Sequence, residues 1–168
     1  MTSKYRLMDF IENNLALLII SVSIIVVERV VKFYITENLQ RGQYVPVIGN
    51  ALMITRSENI GAGFGILQGQ NWLFVSAAVI VLLLIIYFYN TIIYDRLLVF
   101  ATAFILGGAV GNMMDRLFFG RVIDYITMYF WPTFNLSDVA LVIGVFLLLV
   151  YMYRWQKEPS KKERYTHY

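Results

Sequence analysis

The stretch from Gly107 to Asp138, GGAVGNMMDRLFFGRVIDYITMYFWPTFNLSD, decides how the rest of the chain is read. One long apolar segment ends in it and another begins. Between the two stand Asn112, Asp115, Arg116, Asp124, Asn135 and Asp138. Ionisable groups are costly beside hydrocarbon, so a cluster of them at the junction of two membrane-length segments reads as a functional site.

The composition around that junction supports a membrane setting. Of 168 residues, 59% are hydrophobic and 15% charged, against roughly 25% charged in soluble domains. The apolar residues fall in long runs, which predicts a single integral membrane domain over residues 1–168. There is no cysteine and one histidine, His167 in the C-terminal tail. A thiol nucleophile, a disulfide framework and a Cys/His zinc site are therefore excluded. A Ser–His dyad is not expected, because the tail is remote in sequence from every candidate serine. Acid–base chemistry falls to carboxylates, Lys, Tyr or Arg.

The net charge of +3 comes mainly from the tail, with Arg154, Lys157, Lys161, Lys162 and Arg164 countered by Glu158 and Glu163. This basic tail (154–168) predicts contact with anionic lipid headgroups. The run is short and no recognition motif accompanies it, so no nucleic-acid partner is expected.

Four spans are predicted, at about 15–34, 72–89, 97–114 and 136–153. The first resembles a signal-peptide core, but no small-x-small cleavage site follows, so it is read as retained. Trp72 and Tyr87/Tyr89 suit the interfaces of the second span. Gly107, Gly108, Ala109 and Gly111 leave a thin face on the third, where another backbone can approach. Between the first two spans, 36–71 form a long non-membrane loop. Within it Tyr44–Ile48 and 51–55 read as strands joined by Gly49-Asn50, a hairpin with Pro46 favouring an edge. The glycines of 59–65 permit unusual backbone angles or a plain flexible turn.

Four spans put both termini on one side. Lys4, Arg6, Arg96 and the tail place that side in the cytoplasm. Glu28, Lys32, Asn59 and the whole junction cluster then gather near the outer membrane face.

Asn112, Asp115 and Arg116 are spaced i, i+3 and i+4 and share a helix face. For Asp115 and Arg116 the favoured role is tying the helix end to its neighbours. Asp124 sits in an apolar setting, and Asp138 in the first turn of the last span, with Asn135 as its N-cap and its amide within reach of a neighbouring carboxylate. Two carboxylates brought together at the hydrocarbon edge cannot both ionise cheaply. Such a pair can activate water and protonate a leaving amine. The helix N-terminus favours Asp138 as the charged base, which leaves Asp124 as the initial acid. The reverse assignment and a purely structural role for both stay open from spacing alone. Glu28 and Lys32, at i and i+4, predict an intrahelical ion pair. Lys32 as the base for a serine, and Glu28 as the coupling carboxylate of a small transporter, are weaker alternatives.

At this point the motifs show a resemblance. GGAVGNMMDRLFFGRVIDYI resembles the pattern GGAxGNxxDRxxxGxVxDFI of the lipoprotein signal peptidases (type II signal peptidases). FNLSD resembles their FNxAD, NIGAGFGIL their NTGAAFxxL, and VPVIGNALMIT the segment before it. The resemblance implies an all-α membrane fold of four helices with a small extracytoplasmic β-hairpin or cradle and a mobile helix. It implies an aspartyl endopeptidase of the bacterial inner membrane that cuts the signal peptide from a prolipoprotein before a diacylglyceryl-modified cysteine. The catalytic aspartates of the family fall on Asp124 and Asp138. Its further motif residues fall on Asn59, Asn112, Asp115, Arg116, Asn135 and Lys32, with Glu28 beside them. The resemblance implies no metal or other cofactor, membrane lipid as surroundings, and the cyclic peptide globomycin as an inhibitor against the aspartates. The chain departs from the family in its first motif, Glu28-Arg29-Val30-Val31-Lys32 where DQxxK is usual, and in Ile60, Gly63 and Ser137. A non-catalytic relative that binds lipidated peptides, and a divergent second copy with altered substrate preference, are the readings those departures raise.

Overall fold

In the computed structural model, residues 3–61 and 67–157 are described, with side chains from residue 7 onward. The elements run α1 (Ser3–Asn38), β1 (Tyr44–Ile48), β2 (Leu52–Asn59), α2 (Asn71–Tyr87), α3 (Tyr89–Ile92), α4 (Arg96–Phe119), β3 (Val122–Met128), β4 (Trp131–Phe134) and α5 (Leu136–Lys157). Among the described residues, three helices, α1, α4 and α5, are long and apolar enough to cross a membrane. A fourth, α2, is apolar throughout but has 17 residues.

α1 begins well before the expected Leu15. Its polar lead contains no Gly or Pro to end a helix, and it has tertiary partners. Asn13 donates to the Ile93 carbonyl at 2.7 Å, and the Tyr89 hydroxyl donates to Asn14 at 2.5 Å. The lead therefore packs on the short turn before α4. α4 is capped at its start by Asp95, whose carboxylate accepts from the amides of Leu97 and Leu98. It stops at Gly120, in the left-handed conformation. The third span was expected to end near Met114; the helix runs about one turn further, to Phe119, and carries Asp115 and Arg116 on it as their spacing predicted.

α4 is the central helix, packed against α1, α2 and α5. The thin face expected at its glycines is where α5 approaches. A Cβ on Gly108 would lie 2.4 Å from the Ser137 carbonyl oxygen, and one on Gly111 2.2 Å from the Ser137 hydroxyl. No side chain fits there, so the two helices meet backbone to backbone.

The hairpin expected at 44–55 is half of a larger sheet. Its strands, β1 and a longer β2, extend into a four-stranded antiparallel sheet in the order β1-β2-β3-β4. β1 carries Pro46 and lies at the edge, as its proline predicted. β3 pairs with β2, with Ser57 opposite Asp124 and Asn59 opposite Val122, after an irregularity between Ile54 and Ser57. The segment VIDYITM is rich in β-branched residues, a strand signal. Its partner lies about 65 residues away in sequence, as the Asn59–Asp124 bond shows, so local patterning could not supply the pairing. Glu58 pins this sheet to the helix ends. It pairs with Arg41, Arg56 and Arg121 at 3.2, 3.4 and 3.1 Å, and Arg56 also donates to the Thr36 carbonyl at 2.7 Å. The core of the glycine segment, 62–66, and the tail beyond 157 lie outside the described residues.

Candidate active site

The two aspartates arrive from different elements. Asp124 comes from β3, where side chains alternate in direction along the strand, so it and its neighbour Tyr125 reach different partners. Asp124 accepts from the Asn59 side chain at 2.9 Å through one oxygen and from Asn135 at 2.7 Å through the other. Asp138 stands in the first turn of α5. The Asp138 amide donates to the Asn135 side-chain oxygen at 2.9 Å, and the Asp138 carboxylate accepts from the Asn135 amide at 3.1 Å. This reciprocal cap satisfies two otherwise orphaned helix donors. The second Asp138 oxygen accepts from Asn112 at 2.8 Å.

Asn135 joins the two carboxylates. Its oxygen caps α5, and its nitrogen donates to Asp124 and, at 3.0 Å, to the Asn112 oxygen. The expectation that the amide of this N-cap reaches a carboxylate matches the geometry.

Both aspartates line one groove of about 460 Å3 with Asn59, Asn112 and Arg116, walled by apolar residues that include Phe74 and Val81 of α2, Leu141 of α5 and Pro132 of β4. Burial raises the Asp124 carboxyl from its ordinary 3.8 to about 7, because the charged form loses hydration. The Asn59 hydrogen bond opposes that shift, the nearby Asp138 adds to it, and Asn135 and Lys32 pull against it. Asp124 is thus poised to hold a proton near neutrality.

Arg116 faces this groove. Its guanidinium donates to the Gly61 carbonyl at 3.3 Å and the Asn112 carbonyl at 3.4 Å, and sits 4.6 Å from the Phe74 ring centroid. Asp115, its neighbour in sequence, points toward α1. It pairs with Arg29 at 2.6 Å and Lys32 at 2.7 Å and accepts from the Ile123 amide at 3.1 Å. Asp115 and Arg116 do tie the helix end down, but to separate partners on opposite sides.

The expected Glu28–Lys32 pair is present at 2.6 Å, fully buried. Lys32 also approaches the Asn112 oxygen at 3.5 Å. Two carboxylates hold its ammonium, which argues against a serine partner. Glu28 accepts from the Tyr125 hydroxyl at 2.8 Å. A carboxylate so enclosed is poorly suited to carry ions across a membrane. Arg29 turns inward and donates to the Gly111 carbonyl at 3.1 Å besides pairing with Asp115.

Sequence reasoning missed Tyr125. Burial, with the Glu28 carboxylate beside it, raises its hydroxyl above the ordinary range and keeps it a donor. Its polar tip in an apolar strand was the available signal. It also missed the apolar groove wall, which α2, β4 and α5 build together.

These features define an integral membrane protein with an amide-bridged pair of carboxylates where its helices meet a small sheet. Comparison with known proteins narrows that class. The family described as Signal peptidase (SPase) II matches residues 20–154. Lipoprotein signal peptidase of Halothermothrix orenii is 38% identical over 140 residues, covering 83% of this chain and 95% of the relative. That of Halalkalibacterium halodurans is 36% identical over 150 residues, covering 86% and 96%. A solved bacterial membrane enzyme superposes with a TM-score of 0.74 at 32% identity, over 82% of this chain and 87% of its own. The chain belongs to the signal peptidase II family, a family of membrane proteases.

Proposed function

We propose that this protein is a membrane aspartyl endopeptidase that removes the signal peptide from diacylglyceryl-modified prolipoproteins, cutting before the lipidated cysteine. One observation carries the proposal: in a member of this family, Asp124 and Asp138 are joined through Asn135 on a single groove with an apolar wall. Asp138 takes a proton from a water in the groove, and the water oxygen attacks the scissile carbonyl carbon. Asp124 supplies its proton to the nitrogen as the tetrahedral intermediate collapses. The carbon–nitrogen bond breaks, leaving a carboxylic acid on the signal peptide and a free amine on the lipidated cysteine. Asn59 and Asn135 hold Asp124, while Asn112 and the Asn135 amide hold Asp138, so neither carboxylate must reorganise. Arg116 sets a positive charge at the same groove.

The apolar wall suits a signal-peptide segment or the diacylglyceryl chains. α2, with about 26 Å of helical rise, completes a four-span layout together with the short α3 that follows it. The positive-inside rule then puts both termini in the bacterial cytoplasm and the groove near the outer face of the inner membrane. Globomycin would compete for the same groove.

The test is cleavage of a diacylglyceryl-modified prolipoprotein by the purified protein in detergent, beside Asp124→Asn and Asp138→Asn. Wild-type cutting with both variants inert is expected. Binding of the substrate without cutting by the wild type would make the protein a non-catalytic relative. Cutting retained in either variant would remove that aspartate from the chemistry.

A further inference from the structure

Tyr125 is not among the groove residues, yet its hydroxyl sits where three elements meet. It donates to Glu28 of α1 at 2.8 Å and accepts the Leu136 amide, in the first turn of α5, at 3.1 Å. That amide is one of the orphan donors of a helix start. From Glu28 the contacts run on to Lys32 at 2.6 Å, from Lys32 to the Asn112 oxygen at 3.5 Å, and from the Asn112 nitrogen to Asp138 at 2.8 Å. Asp138 lies two residues beyond Leu136. The contacts therefore form a closed ring that leaves and re-enters α5 in one turn. Tyr125 is also the strand neighbour of Asp124, so the hydroxyl that anchors α5 is fixed to the backbone that presents the other aspartate.

We propose that Tyr125 is a positioning residue for the aspartate pair: its hydroxyl closes this ring and sets the first turn of α5, and with it Asp138, against β3 and Asp124. Glu28 reaches across from α1 to meet the Tyr125 hydroxyl of β3, and both groups are buried. The reach of Glu28 and the hydroxyl of Tyr125 make one contact, and neither makes it alone.

The inference rests on the peptidase reading, and its test separates the two. Wild type, Tyr125→Phe, Glu28→Asp and the double variant are purified in detergent. Cleavage kinetics are measured per folded protein, and backbone hydrogen exchange is followed by mass spectrometry in the peptide containing Leu136 and Asp138. Losing a hydrogen bond to a buried charged group predicts that Tyr125→Phe lowers kcat about five- to tenfold. KM should stay within about twofold, because Tyr125 does not line the groove. Exchange across the start of α5 should rise. The double variant should be no worse than the poorer single variant, because both break the same contact. A plain packing defect would instead lower the amount of folded protein and leave its kcat unchanged. Unchanged exchange at the start of α5, or unchanged kcat with an active wild type, overturns the inference. A wild type that does not cut defeats the peptidase reading, and the exchange measurement still decides the role of Tyr125 at α5.

Discussion

Replacing Asn59 by Leu should move the pH dependence of cleavage upward. Asn59 donates to Asp124 at 2.9 Å, and this bond is the strongest of the influences that keep the Asp124 carboxyl from rising above about 7. Leucine has a similar volume, so water stays out and the site becomes drier. Loss of the donor and added desolvation both disfavour the carboxylate, so the two effects share one sign. A hydrogen bond to a charged group is worth about 1.5–3 kcal/mol, which is about 1–2 pKa units. If Asp124 delivers a proton, wild-type kcat/KM falls as pH rises through about 7, roughly tenfold per unit beyond it. In Asn59→Leu the same fall should begin at about pH 8 to 9. Stability carries the same sign. A carboxyl raised in the folded state favours folding most below its unfolded value of 3.8, and that advantage is lost as pH rises through about 7. The loss for the wild type is of order 4 kcal/mol between those limits. The assay is kcat/KM between pH 5 and 10 with the diacylglyceryl-modified substrate, alongside thermal unfolding in detergent. A fall that stays put or moves to lower pH refutes the reasoning. Wild-type activity that rises through pH 7 would make Asp124 the base.

Asp115→Asn leaves Arg29 and Lys32 facing each other with one buried carboxylate fewer; a loss of about 3–5 kcal/mol is expected, read as a lowered unfolding temperature in detergent. Gly108→Ala places a methyl 2.4 Å from the Ser137 backbone carbonyl oxygen, so α4 and α5 must separate. A loss of about 1–3 kcal/mol together with reduced kcat is expected, because Asn112 and Asp138 flank that contact; unchanged stability would mean that the helices yield freely.

Much of the molecule was legible in the sequence. The apolar runs declare the helices because hydrocarbon demands long stretches without charge. Glu28 and Lys32 announce their pair by helical spacing, and Asn135 announces its cap by residue type three positions before Asp138. The motifs around Asp115, Asp124 and Asp138 carried the resemblance to the family. Other features depend on contacts remote in sequence, and no local pattern encodes those. β3 pairs with β2 from the far side of α2 and α4, so the sheet was read only as its first hairpin. Asp115 and Arg116 look like one unit in the sequence, but the helix turns them to different partners, Arg29 and Lys32 for one and the groove for the other. Arg29 stands in the sequence only as a cation in the first motif, and it is α4 that brings Asp115 and the Gly111 carbonyl beside it. Tyr125 is one tyrosine among apolar neighbours in the sequence, and only the packing of α1 and α5 closes on its hydroxyl. The sequence by itself determined which groups stand near the membrane boundary. Only the tertiary structure decided which of them share a hydrogen bond, because that depends on how the helices and the sheet pack in three dimensions.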